Sequence, residues 1–311
     1  MDNTLQMGFT AGLPQTWGFS ERSQIDSKRM GVGSSGSHAG KVVRDAATGS
    51  GPFTGNVATL DQLTKPKILV LDIETSPNLA YVWEMYNVDS ISSSQLVEPR
   101  DMLCFAAKWL DEDRIIFAST YHNGYSAMIR ILHELLDQAD IVMTYNGNKF
   151  DIPVVNTCLI MEGFKPPSPY KSLDLYPVIR STFRLPLNKL EHVLKHFGLT
   201  KKQDAGGFET WKKCLANDPA AWEQMKTYNI QDIESLQELY FFVRPWIPRH
   251  PSFAGYTQSH VCPNCGSNNL ERRGYSFTQV SKYQRWQCKN CGKWSRSTHR
   301  ESGAEISEAV S

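Results

Sequence analysis

No run of about 18 consecutive apolar residues occurs in this 311-residue chain, so no segment is expected to cross a bilayer as a helix. The first residues also lack a basic start followed by an apolar stretch. A cytoplasmic placement is therefore expected, in a host's cytoplasm for a viral chain, with no membrane partner. No disulfide framework is expected in that setting, and the seven cysteines read as metal ligands or free thiols. Net charge is nearly absent too, at +1, but that total hides an uneven distribution. Residues 261–300 hold eight Lys or Arg against one acid, Glu271, a local balance of +7. Glu301, Glu305 and Glu308 follow, which leaves residues 1–260 at −3.

Residues 1–64 lack a sustained hydrophobic period and take ten of the 21 glycines. Such a composition cannot bury enough apolar area to offset the entropy of ordering, so a flexible N-terminal segment is expected. A phosphate loop is excluded there: Gly36-Ser-His-Ala-Gly40-Lys41 is one residue short and no Ser or Thr follows the lysine. A docking peptide near Leu13–Phe19 is the remaining function for that stretch. The rest divides into an α/β domain at 65–248, a small cysteine module at 260–297 and a flexible tail at 298–311.

Within the α/β domain, Lys67–Ile73 reads as a strand, with Ala80–Tyr86, Met102–Trp109 and Arg114–Ser119 as further strands, antiparallel neighbours. Helical spacing marks Ser126–Ala139, Asp151–Glu162, Asn188–Phe197 and Pro219–Val243. Ile141–Tyr145 and Lys171–Tyr176 complete the strands.

The chemistry begins at Asp72-Ile73-Glu74. Alternation puts both carboxylates on one face, continuing the row of Ile68 and Val70, while Leu69, Leu71 and Ile73 line the other. A strand apolar on both faces belongs inside a sheet, where adjacent acids repel unless the strand end meets water or a hard divalent cation joins them. A second acid, Asp151, closes Tyr145-Asn146-Gly147-Asn148-Lys149-Phe150-Asp151, where a strand gives way to a helix. It either caps that helix or belongs to a site at the strand ends. A third, Asp232, falls in the buried stripe Trp222, Met225, Asn229, Asp232, Leu236, Leu239 and Val243, one turn after Tyr228. A charge on an apolar face needs a partner, a metal or an arginine.

Asp72-x-Glu74, Asn146-x-x-x-Phe150-Asp151 and Tyr228-x-x-x-Asp232, in that order, resemble the three exonuclease motifs of the DEDD superfamily, and especially its stand-alone bacterial and phage branch. The resemblance covers about residues 65–247. It implies a ribonuclease H-like mixed sheet flanked by helices and metal-dependent 3′–5′ exonuclease activity on single-stranded nucleic acid, DNA favoured over RNA. Tyr228, with Thr227 at the position the other subclass gives to histidine, makes this the tyrosine version. By resemblance, Asp72, Glu74 and Asp232 hold one Mg²⁺ or Mn²⁺, Asp72 bridges to a second, Asp151 acts mainly through water, and Tyr228 orients the attacking water. Asn146 contacts substrate or buttresses its turn; Lys149 touches a phosphate or is solvated. Asp174 matches no motif residue and reads as structural. A structure-selective endonuclease on the same fold and a non-catalytic nucleic-acid-binding protein remain alternatives.

The module at 260–297 carries Cys262-Pro-Asn-Cys265-Gly and, 22 residues on, Cys288-Lys-Asn-Cys291-Gly. Two such knuckles supply four thiolates to one structural Zn²⁺, with a β-hairpin between them, so the module looks like a zinc ribbon. About 40 residues cannot fold alone without such a staple. Tyr275, Phe277, Tyr283, Trp286 and Trp294 interleave with its basic residues. They either form a single-strand platform or fill a small core behind a protein-docking surface. A replication or repair protein is a further expected partner, through the module or the N-terminal segment.

Overall fold

The computed structural model describes residues 65–86, 89–199, 207–257 and 260–305, all within one compact unit spanning Val57–Ser311. The expected flexible segment 1–64, its docking peptide and residues 306–311 of the tail lie outside the described residues.

The chain runs β1 (Ile68–Thr75), β2 (Leu79–Ala80), β3 (Leu96–Glu98), β4 (Met102–Trp109), β5 (Ile115–Ser119), α1 (Thr120–Asn123), α2 (Tyr125–Asp137), β6 (Ile141–Thr144), α3 (Asp151–Met161), β7 (Lys171–Asp174), α4 (Leu175–Thr182), α5 (Leu190–Phe197), α6 (Phe208–Leu215) and α7 (Pro219–Val243). After a short helix α8 (Ala254–Thr257) come β8 (Leu270–Phe277), β9 (Ser281–Cys288), β10 (Trp294–Arg296) and β11 (Ser302–Gly303). The main sheet has the order β5-β4-β1-β6-β7. β4 and β5 pair antiparallel on one side of β1, and β6 and β7 pair parallel on the other. The sheet is therefore mixed, with β1 at its centre.

Alternation along β1 sorts the core into two layers. Ile68 and Val70 pack with Ile233, Leu236, Leu239, Tyr240 and Val243 of α7 and with residues of α4 and α5. Leu69, Leu71 and Ile73 pack with Met128, Leu132 and Leu136 of α2 and Val155, Cys158 and Leu159 of α3. Helices flank both faces, and none among the described residues is long and apolar enough to cross a membrane.

Two sequence expectations change. Ala80–Tyr86 is not a strand beyond Ala80: of that run only Ala80 pairs with β3, opposite Leu96. Its Trp83 and Met85 are 96% and 87% exposed. β propensity reflects packing against neighbours, and every residue from Tyr81 to Tyr86 lies exposed. Lys171–Tyr176 stops being a strand at Asp174, because the Asp174 carboxylate accepts the Tyr176 N–H at 3.0 Å and starts α4 instead. Helix α6, anticipated by no sequence pattern, packs Cys214 with Trp222 and Met225 of α7 and Cys104 of β4. The hairpin expected between the knuckles is present as β8 and β9.

Candidate active site and cysteine centre

The carboxylate site forms because β1 outruns its parallel neighbour. The last rung between β1 and β6 is Val70↔Met143; β1 continues to Thr75 on its own along that edge, and Asp72 and Glu74 stand on the extension. Their side chains continue the row of Val70 and so face α7. Helix α7 starts sharply: Asp218 caps it by accepting the Ala220 N–H at 2.9 Å, and Pro219 occupies the first turn. Twenty-five residues of helix extend about 37 Å and bring Asp232 against β1. Carboxylate oxygens of Asp72, Glu74 and Asp232 all lie within 4.8 Å of one another. Asp232 is 4% exposed.

Tyr228, one turn before Asp232, is packed edge-on by Trp211 at 6.1 Å. Burial, and then the charges of Asp232, Glu74 and Asp72, push its phenol well above the usual range. It keeps its proton and is a hydrogen-bond donor throughout the physiological range.

Asn229 carried no functional expectation, yet it is fully buried and its Nδ2 donates to Asp72 Oδ2 at 2.6 Å. Its Oδ1 accepts from the Cys104 thiol at 3.9 Å. Burial, followed by the charges of Glu74 and Asp72, holds that thiol protonated. The chain Cys104, Asn229, Asp72 therefore fixes one oxygen of the carboxylate from behind. The available signal was an amide in a helix stripe otherwise apolar around Asp232.

Asp151 stands outside the group of three. Its Oδ1 accepts the Ile73 N–H at 3.2 Å, a donor left over where β1 has parted from β6, so it reaches the strand between Asp72 and Glu74. Burial lifts its pKa to about 6, with the Asp174 charge adding to the rise and the Ile73 N–H opposing it. It does not cap α3, whose N-cap is Phe150 with no side-chain bond.

The turn that delivers Asp151 is clamped by Asp174. Its Oδ1 accepts from Asn146 N–H at 2.7 Å and its Oδ2 from Asn148 N–H at 3.1 Å. Asn146 sits at φ 65°, a left-handed conformation that asparagine tolerates better than most residues. Gly147 is required by close approach, since a Cβ there would collide with the Thr144 side chain. Asn146 is thus tied into the turn through its backbone, and Lys149 is exposed on it.

In the C-terminal module all four Sγ atoms lie within 4.8 Å of one another. The pairs Cys262–Cys291 and Cys265–Cys288 are each 3.7 Å apart. A tetrahedron with metal–sulfur bonds of about 2.3 Å has edges of about 3.8 Å, so the spacing fits a single four-thiolate centre and no disulfide. Burial raises the Cys262 and Cys265 thiols. Cys291 falls to about 7: burial opposes, but the Asn264 amide, the Lys293 N–H and the neighbouring thiols outweigh it. Asn264, inside the first knuckle, also donates to the Arg244 carbonyl at 3.2 Å. Lys293 donates to the Ile247 carbonyl at 2.6 Å, and Phe253, whose N–H donates to the Pro263 carbonyl of the first knuckle at 2.7 Å, enters the core beside α7. These contacts fasten the module to the end of α7.

A family model described as the RNase_H superfamily matches residues 69–243. The chain belongs to the RNase_H superfamily. The matched span of this RNase_H-superfamily chain runs from β1 to the last residue of α7 and encloses every carboxylate described above. A similar solved structure is the family B DNA polymerase of the hyperthermophilic archaeon Pyrobaculum calidifontis, at 17% identity and a TM-score of 0.44. The match covers 70% of this chain and 32% of that polymerase. No curated protein matches the chain.

Proposed function

We propose that residues 65–248 are a 3′–5′ exonuclease of the tyrosine DEDD subclass that releases 5′-mononucleotides from single-stranded nucleic acid, DNA favoured over RNA. The observation that carries this reading is the meeting of Asp72, Glu74 and Asp232 within 4.8 Å, supported by membership in the RNase_H superfamily. Three acid oxygens this close are unfavourable without a cation among them. An all-oxygen donor set suits Mg²⁺ or Mn²⁺. Asp72, Glu74 and Asp232 would hold such ions, two in this reading, which would neutralise the scissile phosphate and lower the pKa of the attacking water.

The protein's own groups divide the remaining work. Asn229 holds Asp72 in one orientation, so the carboxylate is set before an ion arrives. Tyr228, kept protonated by its surroundings, orients the attacking water. Asp151, with one oxygen anchored on the Ile73 N–H, acts through water with the other. Asn146 and Lys149 lie on the turn that carries Asp151; in this reading Asn146 buttresses it and Lys149 is positioned to meet a phosphate. The four cysteines hold one structural Zn²⁺.

The test incubates purified protein with 3′- and 5′-labelled DNA and RNA oligonucleotides, with and without Mg²⁺ or Mn²⁺. Metal-dependent release of mononucleotides from the 3′ end is expected, and Asp72→Ala should abolish it without unfolding the chain. Full activity in Asp72→Ala would overturn the assignment. Cleavage of a closed circular single strand would move the reading to an endonuclease.

A further inference from the structure

The aromatic and basic residues of the cysteine module do not share one environment. The register of β9 with β8 and β10 sorts them onto two faces. Gln284 and Trp286 belong to one face, opposite Tyr275 and Arg272. The centre of that face is closed, since Gln284 is 3% exposed, the Trp286 indole donates to Ser297 Oγ at 3.3 Å, and His260 packs edge-on against it at 4.7 Å. Arg272, Tyr275 and Phe277 are exposed at its margin, with Lys282 over the Tyr275 ring at 3.8 Å. Tyr283, Arg285 and Gln287 belong to the other, with Arg296 directly opposite Arg285 and Trp294 opposite Gln287.

On this second face, flat groups are already stacked on one another. The Arg296 guanidinium lies over the Tyr283 ring at 4.1 Å, Arg285 over Trp294 at 4.8 Å, and Arg273 over Trp294 at 5.9 Å. Arg285, Trp294 and Arg296 are exposed. Arg273 shares Glu271 with Lys289, at 3.0 and 3.1 Å. Neither Arg285 nor Arg296 has an acidic partner among the described residues.

We infer that the face formed by Tyr283, Arg285, Trp294 and Arg296 is a second nucleic-acid site, which grips single-stranded polymer by stacking its bases and pairing its phosphates. Charge complementarity selects the occupant. Residues 261–300 carry +7 while residues 1–260 carry −3, so attraction for a polyanion is concentrated on this module. The exposed Trp294 ring and the guanidinium planes offer stacking that duplex bases cannot reach, which selects unpaired strands. The inference rests on the proposed nuclease reading for the identity of the polymer. The module is fastened to the end of α7, whose Asp232 lies eleven residues before Val243, about 17 Å along the axis. One helix thus carries both the cutting site and the base of the platform.

Fluorescence anisotropy tests this with full-length Asp72→Ala protein, no added Mg²⁺ or Mn²⁺, and a labelled single strand of about 20 nucleotides, several times the smallest known site sizes. Arg285→Ala/Arg296→Ala is expected to weaken binding at least tenfold and to flatten the salt dependence by about 1.4 in log K against log salt, at about 0.7 per lost phosphate contact. Arg285→Lys/Arg296→Lys should restore that slope but only part of the affinity, which separates loss of contacts from loss of fold. Trp294→Ala should cost roughly tenfold with the slope unchanged. Wild-type affinity and slope in the alanine pair, with Trp294→Ala also unaffected, overturns the inference and assigns the face to an acidic protein partner. Nucleotide release by the chain with Asp72 intact reads the carboxylate chemistry separately. A nuclease without a platform and a platform without a nuclease therefore give different pairs of results.

Discussion

The four thiols of the C-terminal module come from two turns 22 residues apart, each delivering a pair of ligands by local geometry. The carboxylates come from β1 and from a helix whose Asn229 is 157 residues from Asp72, and they meet only because the sheet and α7 have already packed. Cysteine ligands that close on themselves, in a module with little core, need an ion to fold. Carboxylates held by a finished α/β core would, on the proposed reading, wait for theirs. Removing an ion should unfold the first centre and merely silence the second.

The largest expected effect follows from that contrast. Cys288→Ser should abolish binding of the one proposed Zn²⁺, read by elemental analysis, and lose the hairpin's order, since structural zinc centres draw on the order of 10 kcal/mol or more of folding free energy from the ion. Single-strand affinity should fall with it, while the thermal transition of the α/β core persists. Loss of both transitions together would mean the two parts fold as one.

The carboxylate centre should instead respond to its supports. Asp174→Ala strips acceptors from the Asn146, Asn148 and Tyr176 N–H groups, and a cost of about 2–3 kcal/mol is expected in urea unfolding, with activity falling because Asp151 rides on that turn. Asn229→Ala removes the donor to Asp72 Oδ2, and roughly 10- to 100-fold lower Mn²⁺ affinity is expected, with activity falling alongside it, read by Mn²⁺ titration and nucleotide release. Activity lost with Mn²⁺ affinity unchanged would contradict the role assigned to Asn229.

The smallest effect lies at the join between the two parts. His250 Nδ1–H donates to the Pro251 carbonyl at 2.8 Å, so Nε2 accepts from the Tyr240 hydroxyl at 3.0 Å. Burial, then the charges of Arg244 and Lys293, lower its pKa to about 4. The unfolded chain takes up this proton near the usual histidine value of about 6.5, so stability is complete above that pH. It is lost as pH falls from about 6.5 towards 4, by about 1–2 kcal/mol after allowing for partial exposure. His250→Gln should flatten stability against pH in that window relative to the wild-type chain.

How much of this was legible in the sequence depended on whether a signal was local. Asp218-Pro219 and the later Pro245 and Pro248 bracket α7, and its observed limits are those the sequence marks. The two-residue period of β1 placed Asp72 and Glu74 on one face, and the 22-residue span between the two knuckles implied the β8–β9 hairpin. Ala80–Tyr86 failed because strand propensity says nothing about whether a run finds a surface to pack against, and Tyr81–Tyr86 are all exposed. Leu175–Thr182 was hidden by the strand-like alternation of Ser-Leu-Asp-Leu-Tyr, although Asp174 is an ordinary N-cap and Pro177 falls within the first turn, where proline is tolerated. Asn229 and Asp174 have no motif of their own; their importance exists only once distant segments meet.

The central claim is tested most directly by counting Mn²⁺ ions bound to the zinc-loaded chain by electron paramagnetic resonance, in the wild type and in Asp232→Asn. Two spin-coupled Mn²⁺ per wild-type chain are predicted, with the coupling and at least one ion lost in Asp232→Asn while the fold is retained. Equal stoichiometry and affinity in both proteins would mean that Asp232 does not share a site with Asp72 and Glu74, and would contradict the account.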